Sequence, residues 1–151
     1  MLPIVHQPNT IAPMSATYLS QVVALQDVVK QAPQAEVSTE HVFHGGMYSR
    51  TIKLKADHIL VGALIKVPTM LIVSGDVVIH TEDGPIEING HAVIPAFKDT
   101  KRVIRSISDA TLTMIFPTEA KTVAEAESEF TDEVDDLMSH HNQNVVIITG
   151  E

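Results

Sequence analysis

Arg50, with Tyr48 two residues before it, is the side chain in this sequence that most needs a chemical explanation. If Ile52 and Leu54 point into a β core, period-two alternation puts Tyr48 and Arg50 on the same inward face and Thr51, Lys53 and Lys55 outside. An inward guanidinium needs a counter-charge. Its paired donors suit the anionic group of a ligand, with Tyr48 assisting, or a carboxylate of the chain or of a neighbouring subunit. Pairing with a protein carboxylate is the expected arrangement.

The eight histidines are the other candidates for chemistry. Imidazole nitrogens hold iron, manganese, nickel or zinc when several converge with carboxylates on one point. His41 and His44 are three apart, which on a strand sends them to opposite faces and makes them poor co-ligands unless the chain bends at Gly45-Gly46. His58 and His80 fall beside turns and His91 follows Asn89-Gly90, so surface or hydrogen-bonded roles are expected. His140-His141 would close an acidic helix, where a cation favours the C-terminal dipole. No metal and no other cofactor is expected. The absence of cysteine excludes disulfides and thiolate chemistry. Neither a glycine-rich nucleotide motif nor a Gly-x-Ser-x-Gly elbow occurs. With no Trp, two Tyr and four Phe, stacking platforms for sugars or bases are poorly supplied.

A chain of 151 residues is one domain's worth of core. Its net charge of −9 argues against nucleic acid, whose phosphates are bound by Lys and Arg. No window approaches the ~18 apolar residues of a membrane span, so no membrane partner is expected. The acids cluster: Glu119, Glu125, Glu127, Glu129, Asp132, Glu133, Asp135 and Asp136 fall in one stretch, read as a solvated helix face. Lys98, Lys101, Arg102 and Arg105 form the one basic cluster between residues 98 and 105, with Lys101 and Arg105 on the strand face of Val103. That pattern reads as an edge strand protected by charge, or as the partner of another subunit's acidic helix.

Three regions must position these residues. Residues 1–40 begin with an arm carrying Pro3, Pro8 and Pro13, expected to be extended and to pack on something else. A helix follows over Ser15 to Ala32, N-capped by Ser15, with Tyr18, Val22, Leu25 and Val29 as its apolar stripe, and then a polar linker. Residues 41–118 read as short strands without a helix, punctuated by Glu82-Asp83-Gly84 and Asn89-Gly90 as hairpin turns, which predicts a meander. Leu112, Met114 and Phe116 give the last strand one apolar side. Residues 119–151 predict a helix with Val123, Ala126, Phe130, Val134 and Leu137 as its stripe and Thr122 and Glu125 at capping-box spacing. The tail NVVIITGE is strand-like and able to add to a sheet edge.

Residues 58–116 resemble the core of a cupin: V-S-G-D-V-V-I at 73–79, the E-D-G turn at 82–84 and N-G-H-A-V-I-P at 89–95 stand in that family's order. Over residues 41–151 the chain is similar to small cupin-like proteins of tailed bacteriophages and prophages. That similarity rests on H-V-F-H-G-G-M-Y-S-R at 41–50, A-L-I-K-V-P-T-M-L-I-V-S-G-D-V at 63–77, K-R-V at 101–103, L-T-M-I-F-P-T at 112–118, E-S-E-F-T-D-E at 127–133 and the closing T-G-E. The resemblance implies a mainly β fold, a cupin-like antiparallel barrel (a double-stranded β-helix or jelly roll), with a helix at each end. It also implies that the usual metal-ligand places are lost. Ala63, Ile65, Thr69 and Phe116 stand where ligands would, Pro95-Ala96-Phe97 lacks the glycine of the second motif, and no histidine occurs between Ala92 and Ser139. Apolar groups at ligand places would leave an ion's charge buried without compensation.

The expected function is therefore a non-catalytic, metal-free, phage-type protein acting through protein contacts. It is expected to be a homo-oligomer, a virion-associated or assembly component that meets other phage proteins and resides in the host cytoplasm or the virion. The alternative is a small-molecule binder in which Tyr48, Arg50, Ile65, Thr69, Leu112, Met114 and Phe116, with Leu71, line a pocket, although the apolar members also suit a filled core. A cupin enzyme with an unrecognised site is the third reading.

Overall fold

The computed structural model describes residues 9–149, and Pro3, Pro8 and the final Gly150-Glu151 lie outside that range. The chain runs α1 (Ala16–Val29), β1 (Thr39–His44), β2 (Met47–Leu54), β3 (Ile59–Ile65), β4 (Thr69–Ser74), β5 (Val77–Thr81), β6 (Gly84–Ile88), β7 (His91–Ala96), β8 (Thr100–Ser106), β9 (Ala110–Pro117), α2 (Val123–Phe130) and β10 (Asn144–Ile148). Two single 3₁₀ turns, Val134–Asp136 and Met138–His140, separate α2 from β10.

The strands form two sheets, ordered β10-β1-β2-β9-β4-β7 and β3-β8-β5-β6. Within this, β2-β9-β4-β7 and β3-β8-β5-β6 are the two four-stranded halves of a jelly roll, and β1 and β10 extend the first half. Hydrogen bonding does not close the sheets into one cylinder, so the expected barrel is a two-sheet roll with an interior between its faces. The meander is corrected too. Glu82-Asp83-Gly84 does turn the β5–β6 hairpin, but Asn89-Gly90 carries the chain from β6 in one sheet to β7 in the other. In these turns only the glycines, Gly84 and Gly90, take positive φ. A third corner, from β4 to β5, depends on Gly75: at φ +119° an added Cβ would lie 2.6 Å from the carbonyl oxygen of Asp109.

Alternation fills the interior as period two requires. Leu54, Leu71, Val73, Ile94, Ala110 and Leu112 from the large sheet meet Val77, Ile79, Ile88 and Ile104 from the small one. A second cluster at the other end joins Phe43, Tyr48, Ile65, Met114 and Phe116 to Ala126, Phe130 and Leu137 of the C-terminal segment. Tyr48 packs on Phe43, Phe116 and Phe130 at centroid distances of 5.0, 5.5 and 6.5 Å.

The described residues on either side of the jelly roll, from Ile11 to α1 and from α2 to β10, dock on their own chain. Ile11, fully buried, bridges to the rim of β7, its N–H donating to the Pro95 carbonyl (3.0 Å) and its carbonyl accepting from Phe97 N–H (2.8 Å). Helix α1 starts as predicted, with Ser15 Oγ accepting from Tyr18 N–H at 3.2 Å. It buries Val22 against β3 and β8, while Leu25 of the expected stripe stays exposed. Residues 123–137 are not one helix. Helix α2 keeps the Thr122 cap but ends at Phe130, where Thr131 is already extended. Leu137, extended between the two 3₁₀ turns, is buried in the second cluster, whereas Val134 is half-buried and is not part of either cluster. Strand β10 then pairs parallel with β1, from Thr39 opposite Asn144 to Phe43 opposite Ile148.

The basic cluster departs most from expectation. Strand β8 is interior to its sheet, between β3 and β5, so its charge guards no edge. Lys101 is buried and ion-paired to Glu133 at 2.8 Å, so the acidic segment that meets the cluster belongs to the same chain. Lys66 likewise pairs with Asp132 at 2.7 Å.

Candidate functional site

The jelly roll is not packed solid. Between its sheets lies a partly open cavity of about 120 Å³ whose wall is largely hydrocarbon: Ile52, Leu60, Ile65, Leu71, Leu112 and Met114. Two guanidinium groups, Arg50 from β2 and Arg102 from β8, reach it from opposite sheets, and Asp136, Leu137 and Met138 close one side. Of the residues expected to line a pocket, Arg50, Ile65, Leu112 and Met114 lie on this wall, with Leu71. Tyr48, Thr69 and Phe116 are not on the wall: Tyr48 and Phe116 belong to the aromatic cluster, and Thr69 Oγ1 accepts from Arg102 Nη2 at 2.8 Å.

Arg50 is neutralised by its own chain. Nη1 donates to Glu127 Oε2 at 2.9 Å and Nη2 to Ser139 Oγ at 3.1 Å, and the guanidinium sits 5.5 Å from the Phe130 ring centre. Glu127, a residue of α2 that is 2% exposed, also accepts from Ser139 Oγ and lies 3.0 Å from His140 Nε2. His140 therefore faces a buried carboxylate rather than a helix C-terminus. From Arg50 the chain of contacts runs through the Tyr48 hydroxyl (3.4 Å) to His41 Nδ1 (2.7 Å), and from His41 Nε2 to Asn144 Oδ1 of β10 (2.7 Å). This polar line fastens α2, the 3₁₀ turns and β10 to the body.

Arg102 is different. It alternates with Thr100 and Ile104 on the inward face of β8. It is 7% exposed, and its buried Nε has no hydrogen-bond partner among the described residues. Burial lowers its pKa to about 10, which leaves it cationic at neutral pH. Opposite it, the β3–β8 register slips between Val61 and Leu64, so Gly62 and Ala63 face a single residue of β8. Such a bulge bends the strand, and this one sits on the cavity wall beside the buried cation.

No protein-family model matches the chain, and no curated protein matches it. Among solved structures the chain is similar to a cupin superfamily protein from Desulfitobacterium hafniense, at 15% identity over 58% of this chain and 83% of that one, with a TM-score of 0.44. It is also similar to an RmlC-like cupin protein from Desulfovibrio desulfuricans, at 21% identity over 55% and 84%, TM-score 0.44. A third likeness is to salicylate 1,2-dioxygenase from Pseudoaminobacter salicylatoxidans, at 11% identity over 86% of this chain and 40% of that one, TM-score 0.47. The architecture above rests on this chain's own strand pairing.

A metal does not fit the residues at the places the resemblance points to. Ala63 and Ile65 offer hydrocarbon, Thr69 is engaged with Arg102, and Phe116 packs among aromatics. Among the described residues no three His, Asp or Glu side chains are grouped to hold an ion. His41 is buried and hydrogen-bonded on both nitrogens, while His44, on the opposite strand face, is exposed.

The polar line predicts a pH response. Burial is the main cause that pulls His41 below the ordinary imidazole range, opposed by its hydrogen bond to Asn144 and reinforced by Arg50. For Glu127, burial alone would raise the carboxyl, but hydrogen bonds from Ser139 and His140 and the Arg50 guanidinium outweigh it and hold the group below its usual range. Both groups bind fewer protons folded than unfolded, so both contributions are present above the unfolded values and are lost on acidification. The His41 contribution fades first, below about pH 6.5, and that of Glu127 fades below about pH 4.3. Melting temperature is expected to fall from pH 7 to 5 in the wild type, and that limb should flatten in His41→Gln. An unchanged limb would remove His41 as its source.

Proposed function

We propose that this protein binds a small, mainly apolar molecule in the interior of its jelly roll. The observation that carries the reading is the part-open cavity of about 120 Å³ with hydrocarbon walls and two guanidinium groups converging on it. A pocket with apolar lining and few polar groups is the usual form of a small-molecule site. A dry cavity of about 150 Å³ takes benzene, so this one suits a molecule of roughly four to six non-hydrogen atoms. The residues at cupin ligand places support a binding role without a metal. Filling the space is the test. Ala63→Leu adds bulk to the wall and should abolish the methyl chemical-shift changes that small ligands cause at Ile65, Leu71 and Leu112, with the fold retained. If the variant responds as the wild type does, the site is elsewhere.

One observation favours a second reading, self-association. Thr39 N–H donates to the Gln143 carbonyl (3.0 Å) and Thr149 N–H to that of Phe43 (3.2 Å). By ladder alternation, the main-chain groups of Asn144, Val146 and Ile148 then face away from β1. Val145, Val146, Ile147 and Ile148 are 52, 48, 44 and 63% exposed on this edge. An uncharged apolar edge is self-complementary, and a second copy can add to it antiparallel about a two-fold axis. Wild-type protein is then expected to sediment as a dimer and Val146→Lys as a monomer. A monomeric wild type would end this reading. The assembly and phage roles expected from the sequence stand as further proposals on this same edge.

A further inference from the structure

We propose that the molecule bound in the cavity is a short-chain carboxylate, with its carboxylate seated on Arg102 and its hydrocarbon tail along Ile52, Leu71, Leu112 and Met114. The inference rests on the cavity being a binding site and adds the chemical class of the occupant.

Charge accounting carries it. The interior holds two guanidinium groups, and Glu127 accounts for Arg50. Among the described residues Arg102 has only the Thr69 hydroxyl, a neutral partner, and none of them accepts from its Nε–H. The carboxylate on the cavity wall, Asp136, lies 3.4 Å from Lys30 Nζ and has a side chain that is 42% exposed. Thr100, the preceding residue on the same face of β8, also has a buried hydroxyl without a partner. A buried cation lacking a counter-ion is costly, and a buried N–H without an acceptor adds to that cost. A carboxylate removes both penalties, because its two oxygens match the guanidinium fork. The lining decides between kinds of anion. Phosphate or sulfate would meet one guanidinium without a counter-charge, a second already paired with Glu127, and a largely hydrocarbon wall, leaving most of its oxygens without donors. A carboxylate with a one- to three-carbon tail presents oxygens at one end and hydrocarbon to the rest, in keeping with the roughly four to six non-hydrogen atoms the space admits.

The experiment is an NMR titration of the full chain with butyrate, butanol and inorganic phosphate, in wild type, Arg102→Met and Ala63→Leu. Charge-assisted hydrogen bonds are worth roughly ten- to hundredfold in affinity. Wild type should therefore bind butyrate that much more tightly than butanol, and Arg102→Met should erase the difference while still admitting butanol. Phosphate should leave the interior methyl signals in place. Equal affinity for butyrate and butanol in wild type would overturn the carboxylate assignment and leave the cavity reading standing. Tighter binding of phosphate than of butyrate would overturn it as well. If no ligand shifts the interior methyl groups and Ala63→Leu behaves as wild type, both the assignment and the cavity reading fall. Circular dichroism of each variant confirms that it is folded, and Arg102→Gln, which keeps a donor but not the charge, should fall between wild type and Arg102→Met.

Discussion

Glu127→Ala is expected to cost about 3–5 kcal/mol of stability, the range for removing one member of a buried ion pair. For a chain of this size that corresponds to a melting temperature lower by roughly 10 °C. The cost comes from what is left behind. Without the carboxylate, the Arg50 guanidinium, with a side chain 11% exposed, keeps neutral neighbours, the Ser139 and Tyr48 hydroxyls and the Phe130 ring, and His140 loses its carboxylate. The double variant Arg50→Met/Glu127→Leu separates this from packing. Replacing both charges with hydrocarbon of similar size should return most of the loss, because desolvation of each ion is then avoided. Urea denaturation of the two variants and of wild type measures it. If the double variant is as unstable as the single one, the pair is not where the energy lies.

Arg102→Met carries the opposite sign and is the more diagnostic change. In the absence of ligand it should raise stability by about 1–4 kcal/mol, since a buried cation with no counter-ion is exchanged for a methionine that fits the same strand face. Wild type should recover part of that difference when butyrate is added, by the linkage between binding and folding, and the variant should not. A destabilised Arg102→Met would mean that the guanidinium is compensated in the folded protein. The two substitutions distinguish the interior cations: one is paired with a carboxylate of the chain, and the other has no carboxylate partner among the described residues.

Much of this was legible in the sequence, and the rest was hidden for identifiable reasons. Alternation over Tyr48, Arg50, Ile52 and Leu54 gave the inward face of β2, and the need for a counter-charge gave a carboxylate for Arg50. Which carboxylate was not readable, because Glu127 stands among eight acids and its burial follows from how α2 docks. The length of α2 was overestimated for a related reason. Apolar residues three or four apart also suit a broken helix, and here Leu137 enters the second core cluster as an extended residue between two 3₁₀ turns. Arg102 was missed because β8 carries cations on both faces, with Lys101 and Arg105 on one and Arg102 on the other, so alternation alone could not say which face was inside. The Asn89-Gly90 turn misled in topology, because the same dipeptide serves a hairpin or a crossing between sheets, and only long-range pairing decides.

The parallel pairing of β10 with β1 has a bearing on biosynthesis. Strand β1 leaves the ribosome long before its partner β10, and Asp136, Leu137 and Met138, which close the interior, also follow every strand of the jelly roll. A nascent chain therefore carries an open hollow and a bare strand flank until residues 136–148 have emerged, and such flanks are prone to aggregation while they are uncovered. A stalled or prematurely terminated product would lack this closure, so the finished molecule and its fragments should differ sharply in solubility.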